Sequence, residues 1–527
     1  MIKDFEKLDD GSTLSADVCI IGAGAAGIAI AREFLGTQYT AVTLESGGLN
    51  PEAETQRLYD SEVVGLPHLG VHNGRARVFG GTTTLWGGQA LRFDAFDLRE
   101  RSWVPYSGWP ISRAELDPYY ERADRVLQLG AYIPYAELCA SFGIEPPAFD
   151  SSKLYMVCSQ WSPKPNFNRT YRDDLKNSHN VSVLLHANVT AIVTNKAATT
   201  VERVDFRTVG GKRGKAVARA YVICCGGIET ARLLLASDRI EPYGVGNRTD
   251  LVGRYFQEHL HIRYGNLLGA SRKHLQGLFE SFYQNGLKYF PLVTLSERQQ
   301  IEKQVLKIHG AASFDNSTCS GIAAVKSLYK TIVAKTYHDS KELRRLVRNA
   351  FMDSGELFRL AYRFYVQKRA GTSKIGPISF GAQCETAPNP NSRVMLAESR
   401  DQLGMRRVRL DWRLGDLERH TASEYIKTIA GEFARLGLGV FDSKELADLD
   451  DLSKWVEMTH DSAHHMGTAR MNENPQMGVV DVNCRVHGIA NLYIGSSAVF
   501  PTSSCSNPTL TILALCLRIA DRLKQTF

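Results

Sequence analysis

The sequence predicts an α/β protein, α+β overall, built around a doubly wound, Rossmann-like dinucleotide-binding domain. Three observations carry this. Near the N-terminus, "DVCIIGAGAAGIAIAREF" is an apolar strand that runs into Gly22-x-Gly24-x-x-Gly27 and then into a helical pattern. A second apolar strand, "AVTLES", follows and ends in Glu45. Much later, "YVICCGGIETARLLLAS" gives the same order of buried strand, Gly226-Gly227 turn and helix, as expected where a sheet folds back over a cofactor.

The elements of the first unit have separate physical tasks. Gly22 permits the turn, Gly24 lets the backbone approach a pyrophosphate, and Gly27 allows close helix packing. The helix N-terminus offers free N–H groups to phosphate. Glu45 places a carboxylate where an adenosine ribose can donate to it. This fingerprint does not separate NAD from FAD. The next stretch, "RVFGGTTTLWGG" (residues 77–88), brackets three threonines and a tryptophan between Gly-Gly pairs. Such a backbone can lie against a flat ring with a row of hydroxyls facing it, so Arg77, Gly81, Thr82, Thr83 and Trp86 are candidate cofactor contacts. Trp86 serves as a cofactor wall or as packing.

Composition bounds the alternatives. The 527 residues are enough for two large domains, and 43% apolar with 23% charged residues is ordinary for a globular chain. The apolar stretch "LTILALCL" is cut by Arg518 well short of a membrane span. The start, "MIKDFEKLDDGS", has no apolar signal region and no twin arginine, so a cytoplasmic location is expected, with export only alongside a partner subunit. Ten cysteines form no CxxC pair; they read as buried thiols, and no metal site is expected. Residues 326–369 hold eleven Lys or Arg against four Asp or Glu, while the remainder balances at 52 against 52. No nucleic-acid recognition module accompanies this excess, so a nucleic-acid partner is not expected.

Near the C-terminus, "SAHHMGTARM" sets His464 and His465 side by side, and "SNPTLTI" follows around Asn507. On an extended segment neighbouring side chains face opposite ways, so one histidine of the pair can face a ligand. Asn507 before Pro508 reads as a helix N-cap with proline in the first helical position.

Taken together, the N-terminal fingerprint, "GGTTTLWGG", "ARAYVICCGGIETARLLLAS", "VGRYFQEHL", "APNPNSRVML", "HHMGTARM" and "NLYIGSSAVFPTSSCSNPTLTI" resemble the glucose-methanol-choline (GMC) family of FAD oxidoreductases along nearly the whole chain. "GWPISRAELDPYYERA" and the "NPTLTI" ending look most like its sugar-oxidising branch, that of pyranose oxidases, gluconate and fructose dehydrogenase large subunits and glucoside dehydrogenases. The resemblance implies a discontinuous FAD domain (residues 1–265 and 455–527) and a sheet-plus-helix substrate domain (266–454). It implies His464 as the base and Asn507 as its catalytic partner, with His465 packed. It adds Val189, Gly495, Ser496, Pro508 and Thr509 to the cofactor contacts. His259 in "FQEHL" reads as an interior histidine near the flavin. Covalent members of the family carry a histidine where this chain has Leu85, so dissociable, non-covalent FAD is expected.

The implied reaction is oxidation of an alcohol on a sugar, glycoside or aminosugar, with a small-molecule substrate and with O2 or a redox partner as electron acceptor. Alternatives at this level are an FAD-bearing lyase, an oxidoreductase of a non-sugar alcohol, and a non-catalytic FAD-binding interaction protein. Retention of His464 and Asn507 counts against the last. In the basic segment, Leu343, Leu346, Val347, Ala350 and Phe351, then Leu357, Leu360, Ala361 and Phe364, fall at helical spacing. Amphipathic helices with basic outer faces are expected there, as a solvated face or as a docking surface for a membrane or a partner.

Overall fold

The computed structural model describes residues 1–315, 320–334, 340–442 and 452–527. Its first sheet has eight strands. Ser12–Ile21 (β1) is central, flanked in parallel by Ala41–Leu44 (β2) and by Arg213–Ile223 (β3). Val181–Leu185 and Ile2–Asp4 continue the parallel pairing beyond β2, and Leu492–Ile494 pairs in parallel with the end of β3. Val201–Arg207 and Asn188–Thr194 close the other edge antiparallel. Val18, Cys19, Ile20 and Ile21 are all buried, as a parallel strand covered on both faces requires.

The turn after β1 has the predicted construction. Gly22 sits at φ 101°, and a Cβ there would lie 2.8 Å from the Cys224 carbonyl oxygen, so the turn is pressed against the end of β3. The helix Ala25–Glu33 (α1) buries Ala26 to Ala31 against the sheet. A Cβ on Gly27 would stand 1.9 Å from the Gly22 oxygen, the close helix–turn packing foreseen for that position. On the far side of β3 the chain enters Gly226–Ala236 (α2).

The second sheet has nine strands, all antiparallel, in the order Val440–Phe441, Leu260–Leu268, Ile378–Cys384, Ile308–Phe314, Leu287–Leu295, Leu154–Trp161, Gln89–Ala90; Thr459–Asp461 and Phe282–Gln284 pair at its flanks. A small third sheet joins Ser61–Val63 to Arg393–Arg400 and Arg406–Asp411. Strand pairing thus crosses the expected segment limits in both directions: residues 89–90 and 154–161 serve the second sheet, and 393–411 reach back to residue 61. One continuous apolar core spans the sheets. The closing helix Thr509–Thr526 (α6) is buried along most of its length. The nine cysteines among the described residues are free thiols, eight of them buried. No helix among these residues is long and apolar enough to cross a membrane.

The basic segment forms Ser320–Ala334 (α3), Ser340–Met352 (α4) and Ser354–Tyr365 (α5); its residues 335–339 lie outside the described residues. The helices are as expected, but the burial of their apolar positions is not. Leu346 on α4 and Leu360 on α5 are buried, whereas Leu343, Val347, Phe351, Ala361 and Phe364 are exposed and Ala350 and Leu357 half-buried. Helical spacing marks a face fit for burial; here the described residues leave much of it uncovered.

Because the Gly22 carbonyl leaves no room beside Gly27, Gly27→Ala is expected to lower stability by about 1–3 kcal/mol through overpacking and to reduce the FAD recovered with the purified protein. Thermal melting and flavin absorbance measure both; parent-like values for both would show that the turn can yield.

Candidate active site

A cleft of about 510 Å3 opens at the C-terminal ends of β1, β2 and β3, where ligands bind in open α/β sheets. Of the residues expected to hold a cofactor, Gly22, Gly24, Glu45, Arg77, Gly81, Thr82, Thr83, Trp86, Val189, Ser496, Pro508 and Thr509 line it. Gly27 lies behind the turn. Gly495 packs against sulfur instead, since a Cβ there would be 3.2 Å from the Sγ atoms of both Cys224 and Cys516.

The cleft wall suits a dinucleotide. A Cβ on Gly81 would lie 2.8 Å from the Gly24 Cα, so two side-chain-free loops meet at the start of α1. No side chain caps that helix, leaving its first N–H groups for a pyrophosphate. Buried Glu45 accepts from the backbone N–H of Ala23 (2.8 Å) and Gly47 (2.9 Å); burial pushes its carboxyl up despite these bonds. Arg75 and Arg77 pair with Glu229 at 2.8 and 2.7 Å, and Arg232 joins at 3.2 Å. Burial would raise the Glu229 pKa, but the three guanidinium groups hold it at about 2. The buried Arg77 Nε has no partner in the protein, an orphan donor on the wall of the cleft. A bare turn, an uncapped helix start, an acidic strand end and an unpaired guanidinium donor all fit FAD.

The threonine-rich loop is also bonded within itself. Gly81–Thr84 is a 3₁₀ turn in which Thr83 Oγ1 donates to the Gly80 oxygen at 2.6 Å and Thr84 Oγ1 to the Gly81 oxygen at 2.9 Å. Thr82 is exposed, and both Thr82 and Thr83 line the cleft. Trp86 lines the cleft with its Nε1–H bonded to the Pro165 oxygen, and Leu85 lines it too, without a nucleophilic atom.

At the far end of the cleft His464 Nδ1 lies 2.9 Å from His259 Nδ1. The other nitrogen of His259 is 3.1 Å from the Ser503 oxygen. A carbonyl only accepts, so His259 Nε2 carries a proton, and burial holds the His259 pKa down at about 4, keeping the ring neutral. Its Nδ1 is then a lone pair, which accepts from His464 Nδ1–H. The proton positions follow in sequence: His464 is left with its lone pair on Nε2. Burial, with His259 and His309 nearby, also lowers the His464 pKa well below the usual histidine value. The residue read from sequence as an interior histidine is thus the direct partner of the expected base.

His465 lines the same cleft as His464 but has different ring partners. Its ring packs near His68 and Phe256, and its buried Nε2 lies 3.7 Å from Glu258. Glu258 is a carboxylate that sequence reasoning passed over, although it stands next to His259 in "QEHL". It accepts from the backbone N–H of His259 (2.8 Å) and His464 (2.7 Å), and from His68 Nε2 at 3.2 Å. His68, Glu258 and His465 place potential metal-binding atoms within 4.8 Å of one another. The backbone N–H of Val71 donates to His68 Nδ1, so His68 Nε2 bears hydrogen and donates to Glu258. That nitrogen is a hydrogen-bond donor in this arrangement, not a free ligand.

Asn507 is half-buried and is not among the residues lining the cleft, although Pro508 and Thr509 immediately after it are. Pro508, at φ −73° and ψ −21°, is helical and its carbonyl accepts from the Ile512 N–H at 2.9 Å, as expected for proline in the first helical position after Asn507; α6 begins without a side-chain cap bond.

Comparison with known proteins accords with this construction. Sequence profiles of the GMC oxidoreductase family match residues 68–261 and 388–516, together more than half of the chain. The fructose dehydrogenase large subunit of Gluconobacter japonicus is 22% identical, covering 97% of this chain and 98% of that protein. The 2-methyl-1,2-propanediol dehydrogenase of Mycolicibacterium austroafricanum is 25% identical over 97% and 95%. Among solved structures, a formate oxidase superposes with a TM-score of 0.57 at 15% identity, covering 98% of this chain and 99% of that one, a likeness of fold. With both profiles matched and a cleft whose donors and glycines fit the cofactor, the chain belongs to the GMC oxidoreductase family and is an FAD-dependent oxidoreductase acting on CH–OH groups.

Proposed function

We propose that this chain oxidises an alcohol group on a sugar, glycoside or aminosugar to the carbonyl, with His464 as the base. The observation that carries the reading is the pair of bonds from the Ser503 carbonyl through His259 to His464, which leaves a lone pair on His464 Nε2. The substrate hydroxyl gives its proton to that nitrogen, and bound FAD supplies the acceptor for the hydride leaving the same carbon. Asn507, outside the cleft lining but immediately before Pro508 and Thr509 in it, is the second member of the proposed catalytic pair. Pro508 and Thr509 bring the uncapped start of α6 to the cleft, where its N–H groups favour developing negative charge. The FAD is non-covalent, since Leu85 offers no attachment atom. Gly22, Gly24, Gly81 and the start of α1 hold its pyrophosphate, and Glu45 its ribose.

A cofactor unit of residues 1–265 with 455–527 and a substrate unit of residues 266–454 remain part of this reading, with residues 89–90 and 154–161 lending strands to the second sheet. The electron acceptor is O2 or a redox partner, and the location is the cytoplasm. A non-sugar diol is the second reading, favoured by the likeness to 2-methyl-1,2-propanediol dehydrogenase.

The deciding experiment is anaerobic mixing of the purified holoenzyme with sugars, glycosides, aminosugars and small diols while following flavin absorbance. Bleaching by a sugar-class alcohol is expected, and bleaching by diols alone would select the second reading. His464→Ala should slow that bleaching by about a hundredfold or more, with flavin retained, while His465→Ala keeps most of it. Equal losses would remove His464 from its role.

His259→Ala should slow flavin reduction by on the order of tenfold or more, because nothing then fixes the His464 tautomer. His259→Gln, whose amide oxygen can accept from Nδ1–H, should recover part of the rate. No difference between the two variants would argue against the tautomer lock.

Burial disfavours the His464 imidazolium, so the base stays unprotonated to lower pH than a free histidine would. The acid limb of kcat/KM should fall below pH ~6.5, the ordinary histidine value. A limb at or above that value would contradict the assignment.

A further inference from the structure

The helices α3 to α5 form an excursion between the strands Ile308–Phe314 and Ile378–Cys384, and their exposed surface departs from that of an ordinary globular domain. Among the described residues, nearly half of the exposed large apolar side chains of the protein lie between residues 325 and 375, about a tenth of the chain. Phe351 is 78% exposed, Met352 and Phe358 75%, and Tyr365 70%. They are ordered. On α4, Leu343, Val347 and Phe351 recur every four residues as one exposed stripe, and on α5 Phe358, Tyr362 and Tyr365 follow at spacings of four and three.

Cationic side chains run beside the apolar stripe. Arg344 and Arg348 each follow a stripe residue by one position, which places them along its flank, and both are exposed. Arg345 on the same helix pairs with Glu342. The Lys and Arg excess of residues 326–369 equals the whole formal net charge of +7. Thus the protein's net positive charge and its largest concentration of uncovered aromatic and aliphatic surface coincide.

We propose that α4 and α5 seat this enzyme on an anionic lipid bilayer, with Phe351, Met352 and Phe358 entering the acyl boundary and Arg344 and Arg348 at the phosphates. The choice of occupant rests on what each candidate can satisfy. Nucleic acid would answer the arginines but offers no medium for Leu343, Val347 and Met352. An acidic protein would do the same unless it also carried a matching apolar groove. A bilayer presents both in layers, negative headgroups above and hydrocarbon beneath, which matches a helix with one apolar stripe and a cationic border. Arginine stems can lie along the apolar stripe while their heads reach the phosphates. The absence of a spanning helix among the described residues makes this a surface attachment.

The test is sedimentation of the holoenzyme at low salt with vesicles of phosphatidylcholine and of phosphatidylcholine mixed with phosphatidylglycerol. Binding to the mixed vesicles alone is expected. Arg344→Gln with Arg348→Gln, and separately Phe351→Ser with Phe358→Ser, should each weaken it by on the order of tenfold. Flavin content and anaerobic reduction by substrate should stay at the parent level in both. No sedimentation of the parent with mixed vesicles overturns the proposal. Parent-like binding by the Phe351/Phe358 variant overturns it too, by reducing the contact to charge alone, and so does concentration-dependent self-association that this variant abolishes. A second measurement needs no variant: anionic vesicles should protect the parent from trypsin at Arg344, Arg348 and Lys368, and neutral vesicles should not. Unchanged cleavage would refute the seating.

Discussion

The buried carboxylate of Glu258 is the tie on which the active end of the cleft depends. It receives hydrogen bonds from the backbone of residues 259 and 464 and from the side chain of His68, joining three segments that are distant in the chain. Burial raises its pKa and His68 opposes the rise, so the group is a strained but well-paired acceptor. Removing such a buried partner typically costs several kcal/mol because the others are left unsatisfied. Its geometric effect is more direct. With two backbone N–H groups fixed to one carboxylate, the imidazoles of His259 and His464 have little freedom to separate, and the 2.9 Å contact between them follows.

A second polar network fixes the other side of the same site. Ser504 Oγ donates to Asp97 at 2.8 Å, Trp109 Nε1 donates to Thr502 Oγ1 at 2.9 Å, and the Thr502 hydroxyl reaches the Asp97 backbone oxygen. Lys307 pairs with Asp94 and lies 3.7 Å from Asp97, while Arg101 grips Glu385 by both guanidinium nitrogens at 2.6 and 2.7 Å. Residues 501–506 are therefore bound through side chains on several elements, not left as a surface loop. That matters because this segment carries the Ser503 carbonyl and leads into Asn507 and α6. Preorganisation of this kind lets hydrogen-bond donors and acceptors act without rearranging during the reaction.

How much of this could be read from sequence depended on distance along the chain. The dinucleotide turn was legible because Gly22, Gly24 and Gly27 act on their immediate neighbours, and the strand, turn and helix are contiguous. His464 within its Gly-Thr motif stood out as a candidate in the same local way, and it lines the cleft. His259 was not legible as a partner, since the bond joins residues 205 positions apart; the Glu-His pair in "QEHL" was the only local trace. The bonds of Thr83 and Thr84 within their own turn, to carbonyls three residues back, were local yet not foreseen. Asn507 before a proline marked the helix start, and Pro508 takes helical angles there as the first helical position requires. On α4 the spacing identified an apolar face correctly, yet periodicity carries no information about whether anything lies against it.

The bond from His259 to the Ser503 carbonyl has a kinetic consequence. A carbonyl oxygen cannot take up a proton and pass another on, so the line from His464 through His259 is a stop and not a wire. With His464 as the base, as proposed, a proton captured at Nε2 would have no onward route along that line and would leave from the cleft, which His464 lines. Carbonyl product and proton would then share the cleft, and the order of their departure would set when the base is ready for the next alcohol.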